Sequence, residues 1–580
     1  MFDQAVRFHQ RGRLAEAETL YRQVLQAQPR HFDGLHLLGV LHFQRRRYEA
    51  AIHEIDLALK ERPDVAAAHN TRAAALKELQ RLPEALAGYD KALALQPDYV
   101  DALYNRATLL QELGRLERAV VDFDKAIALR PDHVHAFNNR GNALRELGRD
   151  EAAIASYDRA LALRPDYAEA WYNRSNALAG LNRLEDAVAS CDKAVALKPD
   201  FAEAFNNRGN ALKGLRRFDE AVASYERALA LKPAYVDALN NRASALVQLK
   251  RFDEALADYD RAVALKPDDS SAVWNRSLAR LLVGRWREGW ADYEARWQTD
   301  EMTPDRRHFA QPQWSGDTDI RGKRLLLLPE QGLGDTIMAI RYVHHVVECG
   351  ATVILEAPAA LRSMLTRAAP ECEIVGQGGP LPGFDLYCPL LSLPRAFKTV
   401  LGTIPAQVPY LSACASRVAT WWKRLGTSNG LRIGLVWAGN PQHTNDARRS
   451  ITLQQLLPLI SHTHASFVSL QKDLRPGDAE ILSAHPHITH FGPELESFED
   501  TAALVSLLDL MICVDTSVAH LAGALGKPVW VLLPFVPDWR WLLDREDSPW
   551  YPTARLFRQE RSEDWSGVVE KATEELKRLA

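Results

Sequence analysis

Prolines recur along the first half of the chain at a constant interval of 34 residues. The series consists of Pro29, Pro63, Pro97, Pro131, Pro165, Pro199, Pro233 and Pro267. Because proline cannot donate a backbone hydrogen bond, each one marks the end of a helix. A constant period of this length predicts stacked helical hairpins, in which each unit packs only against its neighbours. A stack of this kind has a long concave surface, and we therefore expect a macromolecular partner.

The residues between the prolines indicate how such units pack. Small residues such as Ala73 fall where the two helices of a unit cross, and one aromatic residue, here Tyr89, fills the remaining gap. About nine helix pairs are expected. The last pair has Gly289 and Arg296 in place of alanines, as expected of a terminal unit that caps the stack or docks on another domain. In period and composition this half resembles the tetratricopeptide repeat family.

Asparagines form a second series with the same spacing, each followed by an arginine. Its members are Asn105, Asn139, Asn173, Asn207, Asn241 and Asn275. They fall on the concave face of a tetratricopeptide stack, where an amide can both donate to and accept from a peptide backbone. The series resembles the asparagine ladder with which O-GlcNAc transferase holds acceptor polypeptides, so we expect it to bind an acceptor protein. Alternatively, asparagine is simply common at this position and satisfies nearby backbone groups. Leu37 and Thr71 interrupt the series in the early units.

The bulk composition restricts the setting and the partners. At 580 residues the chain is expected to contain roughly two to four domains. A net charge of −4 gives no electrostatic case for binding nucleic acid or an anionic membrane. The six cysteines are scattered without a C-x-x-C pair, and no apolar run approaches the length of a membrane span. We therefore expect a cytoplasmic protein with free thiols and no membrane span.

The second half of the chain reads as short apolar strands that alternate with helices, the pattern of doubly wound α/β domains. The predicted strands are Leu325–Leu328, Val353–Leu355, Ile433–Trp437, Phe467–Leu470, Leu510–Val514 and Val529–Leu533. The predicted organisation is a repeat superhelix over 1–303, a linker over 304–320, two α/β domains over 321–408 and 425–560 joined by 409–424, and a C-terminal helix within 561–580. Ligands of such sheets bind at the carboxyl ends of the strands, and three loops there carry suitable residues.

The first loop, Glu330–Thr336, directly follows the opening strand. Its glycines, including Gly334, permit a tight turn and close backbone approach, and Asp335 lies near the start of the next helix. A G-x-G-D turn is also compatible with a simple helix cap. It is not a P-loop, because no G-K-[ST] follows.

The second loop runs from Trp437 through Asn440 to Arg448 and Arg449. Two arginines after a small-residue turn suit an anionic ligand, because a guanidinium pairs bidentately with phosphate or carboxylate. Lys472, which follows the next predicted strand, is a further candidate cation. A solvated, charged loop is the alternative interpretation.

The third loop reads Val514-Asp515-Thr516-Ser517-Val518-Ala519-His520 and leads from a strand into a helix. Asp515, Thr516 and Ser517 place hydroxyls and free N–H groups at the positive end of that helix, which favours a phosphate. His520 lies one turn further on the same face as Thr516. Helix capping alone would explain Asp515 or Ser517, but the combination favours ligand binding.

Together the three loops resemble the heptosyltransferase-like GT-B glycosyltransferases over roughly residues 321–560. The resemblance implies that Asp335 is the base that deprotonates the acceptor hydroxyl in an inverting transfer. It implies a nucleotide-sugar donor, which is a substrate rather than a cofactor. The predicted donor contacts are Gly334, Asn440, Arg449, Lys472, Asp515, Thr516, Ser517 and His520. The family usually has glycine where this chain has Ser517. No Cys/His cluster or D-x-D triplet lies near the loops, so we expect no catalytic metal.

Fusion of a repeat array to a GT-B region resembles O-GlcNAc transferase and, more closely, the bacterial repeat-containing transferases that glycosylate flagellin. This resemblance implies a protein Ser or Thr hydroxyl as acceptor, bound by the array. Two alternatives remain: a non-catalytic scaffold with a nucleotide-sugar module, and a transferase acting on polysaccharide or lipid-linked glycan. A hexosamine on a uridine nucleotide and a nonulosonic acid on a cytidine nucleotide both remain open as donors. The aromatic residues Trp539, Trp541, Trp550 and Tyr551 either stack on such a ligand or form a packing cluster.

Overall fold

The structure is a computed structural model that describes residues 1–299, 307–427, 430–442, 445–461 and 465–579. The chain divides into two compact units, Met1–Asn241 and Arg242–Ala580. The predicted end of the array at 303, the first residues of the linker, and His443 and Thr444 of the second loop lie outside the described residues.

The first unit consists of consecutive helices that pack as hairpins. Their bounds are α1 (Phe2–Gln10), α2 (Leu14–Ala27), α3 (Phe32–Gln44), α4 (Tyr48–Glu61), α5 (Ala66–Glu78), α6 (Leu82–Leu95), α7 (Val100–Glu112), α8 (Leu116–Leu129), α9 (Val134–Glu146), α10 (Asp150–Leu163), α11 (Ala168–Gly180), α12 (Leu184–Leu197), α13 (Ala202–Gly214) and α14 (Phe218–Leu231). The boundary between the units falls within α15 (Val236–Gln248). The prediction of a helical-repeat solenoid is confirmed.

The helix crossings are built as the repeat pattern predicts. Ala73 and Ala85 are fully buried, and Tyr89 is almost so. At the equivalent crossing further along, a Cβ on Gly141 would lie 2.5 Å from the ring of Tyr157, closer than any real contact. A larger residue there would force the two helices apart, which typically costs about 1–3 kcal/mol.

Arginines that follow the asparagine series tie each hairpin to its neighbours. Arg106 donates to Asp90 at 2.7 Å and to Asp122 at 2.7 Å, which lie on the second helices of successive repeats. In the next repeat, Arg140 bridges Asp124 and the buried hydroxyl of Ser156 in the same way. The arginine series therefore has a structural role along the stack.

The second unit begins with the last helices of the repeat type and continues into two parallel sheets. The helical part comprises α16 (Phe252–Leu265), α17 (Ser270–Leu282), α18 (Trp286–Tyr293) and a 3-10 turn, Glu294–Gln298. The strands are β1 (Arg324–Leu328), β2 (Thr352–Ala357), β3 (Glu373–Gly376), β4 (Leu386–Pro389), β5 (Arg432–Val436), β6 (Ser466–Ser469), β7 (Ile488–His490), β8 (Leu510–Val514), β9 (Val529–Leu533) and β10 (Ala554–Arg558). The helices are α19 (Leu333–Ala339), α20 (Val343–Glu348), α21 (Arg362–Ala368), α22 (Leu393–Ala396), α23 (Ala415–Leu425), α24 (Asp446–Arg449), α25 (Leu453–Ser461), α26 (Asp478–Ala484), α27 (Phe498–Ser506), α28 (Ser517–Ala524) and α29 (Ser566–Leu579).

The strands form two sheets, and each sheet with its helices is called a lobe here. The first lobe has strand order β3-β2-β1-β4, and the second has β10-β9-β8-β5-β6-β7, with parallel pairing throughout. All six predicted strands are present: two have the expected bounds, and the other four differ by one or two residues at an end. The prediction of an α/β region built on parallel sheets is therefore confirmed, and the predicted domain bounds stay a prediction. Among the described residues, no helix is long and apolar enough to cross a membrane.

Aromatic side chains join the last repeat helix, α18, to the α/β lobes. Trp286 stacks on Trp550 with ring centroids 5.7 Å apart, and Trp290 meets Trp539 edge-on at 5.1 Å. The indole N–H of Trp290 donates to the carbonyl of Thr399 at 3.1 Å. All four tryptophans are buried, so the predicted aromatic segment forms a packing cluster.

Candidate active site

A cavity of about 1230 Å³ opens at the carboxyl end of β1, in the second unit. The first loop contributes Glu330, Gly332 and Thr336 to its wall, and the second lobe contributes Asn440. The 3-10 turn after α18 also lines it, through Glu294, Trp297 and Gln298. The volume exceeds that of a typical small-ligand pocket, roughly 300–1,000 Å³.

Asp335 lies in the first turn of α19, whose N-cap residue is Gly332. Its Oδ2 accepts the backbone N–H of Gly332 at 2.9 Å. Its Oδ1 accepts from Nη2 of Arg540 at 2.5 Å, an ion pair between the first and second lobes. Both oxygens are therefore engaged, although each carboxylate oxygen keeps a second lone pair that can accept a proton.

Arg540 lies on a short 3-10 turn, Trp539–Trp541, and is only 8% exposed. Its Nη1 donates to Asp538 at 2.8 Å, so the guanidinium is shared between two carboxylates. Its Nε is buried and has no hydrogen-bond partner among the described residues. Burial opposes the charge, but Asp335 and Asp538 outweigh it and raise the pKa of Arg540 above its usual range.

The third loop has the predicted strand-to-helix geometry. Thr516 is the N-cap of α28, with φ −143°, and its hydroxyl is buried without a hydrogen-bond partner in the described chain. One turn on, Nδ1 of His520 is 2.9 Å from the hydroxyl of Tyr551, and the ring stacks on Trp541 at 5.4 Å. Burial, together with the charges of neighbouring arginines, lowers the pKa of His520 well below its usual value. His520 is therefore neutral at pH 7.

The first and third loops meet. A Cβ added to Gly334 would lie 2.9 Å from Cδ2 of His520 and 3.4 Å from Cα of Ser517. Helix α19 thus packs directly against α28, which is possible only because residue 334 has no side chain. Asp335 and the start of α28 accordingly lie on the same side of the molecule.

Asp515 lies behind this contact, with its Oδ1 4.0 Å from Nε2 of His520. Burial, followed by the charge of Asp538, raises the pKa of Asp515 to about 6. The guanidinium charges of Arg449 and Arg540 act on Asp515 in the opposite direction. Carboxylates and arginines are therefore concentrated around the start of α28.

The second loop contributes unevenly to the site. Arg449 packs its guanidinium against Gly439, and its Nε is buried without a partner among the described residues. Asn440 is exposed on the cavity wall, where its Oδ1 accepts the N–H of Gln442 at 3.0 Å. Lys472 is exposed and does not line the cavity.

Two features of the site were not foreseen from the sequence. One is Arg540, whose partner Asp335 is 205 residues away along the chain. The other is Glu330, which forms a bidentate ion pair with the fully buried Arg296, at 2.8 and 3.0 Å. The only signal for the second was Arg296 itself, an arginine where earlier repeats have alanine.

The asparagine series is half-buried and largely engaged between repeats. Asn105 donates to Asn70 at 3.1 Å, Asn173 to Asn138 at 3.0 Å, and Asn207 to Asn176 at 2.5 Å. Each of these side chains therefore donates one amide N–H to the neighbouring repeat.

The helical hairpins resemble those of tetratricopeptide repeat proteins, and the α/β region with its loops resembles a heptosyltransferase-like glycosyltransferase. Tetratricopeptide repeat families match residues 8–75, 75–114, 100–133, 141–181, 168–201 and 206–270. Glycosyltransferase family 9 (heptosyltransferase) matches residues 479–533, the segment that contains β8, the third loop and α28. Together these matches support glycosyl transfer combined with protein-interaction repeats.

Among individual proteins, the chain is 26% identical over 290 residues to Protein FlbA of Caulobacter vibrioides (strain ATCC 19089 / CIP 103742 / CB 15), covering 46% of this chain and 48% of FlbA. The chain thus spans about half the length of this curated relative.

Similar solved structures cover smaller parts of the chain. They include MamA, which is 24% identical in sequence; the match covers 29% of this chain and 92% of the MamA chain, with a TM-score of 0.28. They also include YrrB, described as a TPR protein with an unusual peptide-binding site. YrrB is 24% identical in sequence, and the match covers 33% of this chain and 98% of the YrrB chain, with a TM-score of 0.30. PilF of Pseudomonas aeruginosa is 21% identical in sequence; the match covers 37% of this chain and 97% of the PilF chain, with a TM-score of 0.34.

Proposed function

We propose that this chain transfers a sugar from a nucleotide-sugar to a Ser or Thr hydroxyl of a protein held by the repeats. The observation that carries the proposal is the contact of the first loop, part of which lines one large cavity, with the start of α28. A base and a phosphate-binding helix start are the two parts that such a transfer requires.

In the proposed reaction the acceptor oxygen attacks the anomeric carbon of the donor sugar from the face opposite the nucleotide. The bond between that carbon and the phosphate oxygen breaks, and the nucleotide leaves with the bonding electrons. The hydroxyl proton passes to Asp335. Because attack and departure occur on opposite faces, the configuration at the anomeric carbon is inverted.

The leaving phosphate gains negative charge as the bond breaks. The N–H groups at the start of α28, the hydroxyl of Thr516 and the guanidinium of Arg449 would stabilise that charge without a metal ion. Two of these groups, Thr516 Oγ1 and Arg449 Nε, are buried donors without a partner among the described residues. A buried donor left unpaired costs roughly 1–3 kcal/mol, so an anionic ligand would recover part of that free energy.

The repeats would supply the acceptor. The asparagine series offers amide carbonyls and remaining N–H groups along a surface of constant spacing, which suits an extended polypeptide. Binding the acceptor on the same chain would raise its effective concentration at the cavity. Flagellin is the proposed first acceptor to test.

The test is nucleotide release from a panel of UDP-, GDP- and CMP-sugars, with and without purified flagellin, followed by mass spectrometry of the protein. Release and a mass increase only with protein would support the proposal. Release with a glycan acceptor alone would support a polysaccharide or lipid-linked glycan transferase. No release and no nucleotide binding with any donor would support a non-catalytic scaffold.

A further inference from the structure

We propose that Arg540 contacts the donor phosphate and that, when it does so, it releases Asp335 to act as the base. This inference rests on the proposed function. It assigns to Arg540, which lies outside the three loops, a contact with the nucleotide-sugar donor. It also means that Asp335 becomes available as the base only when the donor is bound.

The first support is the way in which Asp335 is held. Arg540 Nη2 lies 2.5 Å from its Oδ1, and the Arg540 side chain is 10% exposed against 18% for Asp335. Oδ1 of Asp335 thus already accepts a charge-assisted hydrogen bond from a buried guanidinium. An acceptor hydroxyl that approaches this oxygen would compete with Arg540 for it, unless Arg540 takes another partner.

The second support is that Arg540 still has capacity to bind an anion. A guanidinium has five N–H groups, and Nε–H of Arg540 is buried without a partner among the described residues. Arg540 is more than nine-tenths buried, so this N–H is also shielded from bulk water. This N–H on a charged group can therefore donate to an anion.

The third support is position. The residue after Arg540, Trp541, stacks on His520 of α28. The residue before Asp335, Gly334, packs on His520 and Ser517 of the same helix. The Arg540–Asp335 pair is thus flanked on both sides by groups that touch the first turn of α28, where a phosphate is expected.

Charge balance then favours an exchange of partners. Asp335, Asp515 and Asp538 surround Arg540, and the charges of Arg449 and Arg540 act on Asp515 and His520. An added phosphate would be repelled by these carboxylates unless a guanidinium turned toward it. Arg540 can do so by giving up Asp335 while keeping Asp538.

The exchange makes a thermodynamic prediction, because a ligand and a carboxylate that compete for one guanidinium are linked reciprocally. Nucleotide affinity is measured by isothermal titration calorimetry with UDP, GDP, CDP and CMP, on the full chain. Asp335→Asn keeps the shape of the side chain but removes the competing charge, and it is expected to raise affinity about tenfold. Arg540→Met is expected to lower affinity at least tenfold, and the double variant is expected to match Arg540→Met.

The matched control is Asp319→Asn, which makes the same change of charge at an exposed position that does not line the cavity. It is expected to leave affinity unchanged. The proposed exchange is wrong if Asp335→Asn binds nucleotide no more tightly than this control, or if the nucleotide affinity of the double variant differs from that of Arg540→Met. The ion pair would then have only a structural role. Should Arg540→Met fail to fold, Asp335→Asn and Arg540→Lys decide the question alone.

The outcomes separate this inference from the proposed function. Nucleotide binding that is insensitive to Asp335→Asn overturns only the exchange and leaves glycosyl transfer standing. Failure of the wild-type chain to bind any of the four nucleotides overturns the donor assignment, and the exchange with it.

Discussion

Gly334 and His520 are in contact, although one follows β1 of the first lobe and the other lies on α28 of the second. A Cβ at residue 334 would be 2.9 Å from Cδ2 of His520, so Gly334→Ala must push α19 away from α28. We expect at least a tenfold loss of sugar transfer and a loss of stability of about 1–3 kcal/mol. Gly332→Ala is the matched control, because its Cβ would meet nothing closer than the Asp335 carboxylate at 3.4 Å. Transfer assays and thermal unfolding of both variants check the prediction, and equal behaviour would contradict it.

The proposed base makes a kinetic prediction. Asp335→Asn removes the proton acceptor but little volume, so we expect kcat for transfer to fall about 100- to 10,000-fold. Donor binding is not expected to weaken. Steady-state kinetics with protein acceptor, together with nucleotide titration, measure the two effects. Near-normal kcat in this variant would place the base elsewhere.

The buried ion pair of Arg296 and Glu330 makes a prediction about stability. Arg296 is 0% exposed, and the Glu330 side chain is 3% exposed. Arg296→Met would leave Glu330 buried without its ion-pair partner, which typically costs about 3–5 kcal/mol. Combining Arg296→Met with Glu330→Gln removes both charges, so the double variant is expected to recover part of the loss. Denaturant unfolding of the wild type and of both variants tests this, and an Arg296→Met variant as stable as wild type would rule it out.

His520 makes a prediction about pH. Its pKa is lowered in the folded protein, so protons bind the unfolded chain more readily. The stability that the neutral ring contributes is therefore present above pH 6.5, the unfolded value, and falls below it by up to about 1.4 kcal/mol per pH unit. In His520→Gln this component is expected to disappear. The difference in unfolding free energy between the two proteins, measured from pH 8 to pH 5, isolates it from Asp515, whose raised pKa acts in the opposite direction.

The asparagine series makes a prediction about acceptor binding. Replacing Asn173, Asn207 and Asn241 by alanine is expected to weaken binding of the acceptor protein about tenfold or more, while donor hydrolysis is unchanged. The control replaces Ser156, Ser190 and Ser224 by alanine. Each of these buried hydroxyls accepts from an arginine of the array at 2.6–2.7 Å, so the control removes internal hydrogen bonds without altering the binding surface. Equal loss of binding in both triple variants would reduce the series to a structural role.

The sequence was most informative where a pattern is repeated or continuous. The 34-residue period predicted the helical hairpins because every unit carries the same stop and the same crossing residues. The six long apolar strands were equally clear. In contrast, β3, β4, β7 and β10 were missed, because these segments of three to five residues contain polar or proline positions and no continuous apolar run.

The site was predictable only in its local parts. The first and third loops could be found because each combines glycines or hydroxyls with a strand end and a helix start. Arg540 could not, because its importance lies in a contact with Asp335 that no local pattern encodes. Lys472 shows the converse: a cation at the end of a strand looks suitable in sequence, yet Lys472 is exposed in the structure.

The wall that Glu294, Trp297 and Gln298 provide has a practical consequence for anyone who wants a minimal fragment for inhibitor screening. A fragment that begins at β1 would lack these three residues of the cavity wall and would expose tryptophan side chains that are buried in the full chain. Compounds selected against it could bind a surface that the full chain does not have. A fragment that begins near Arg242 retains α16 to α18 and the 3-10 turn after them, and therefore keeps this part of the cavity wall.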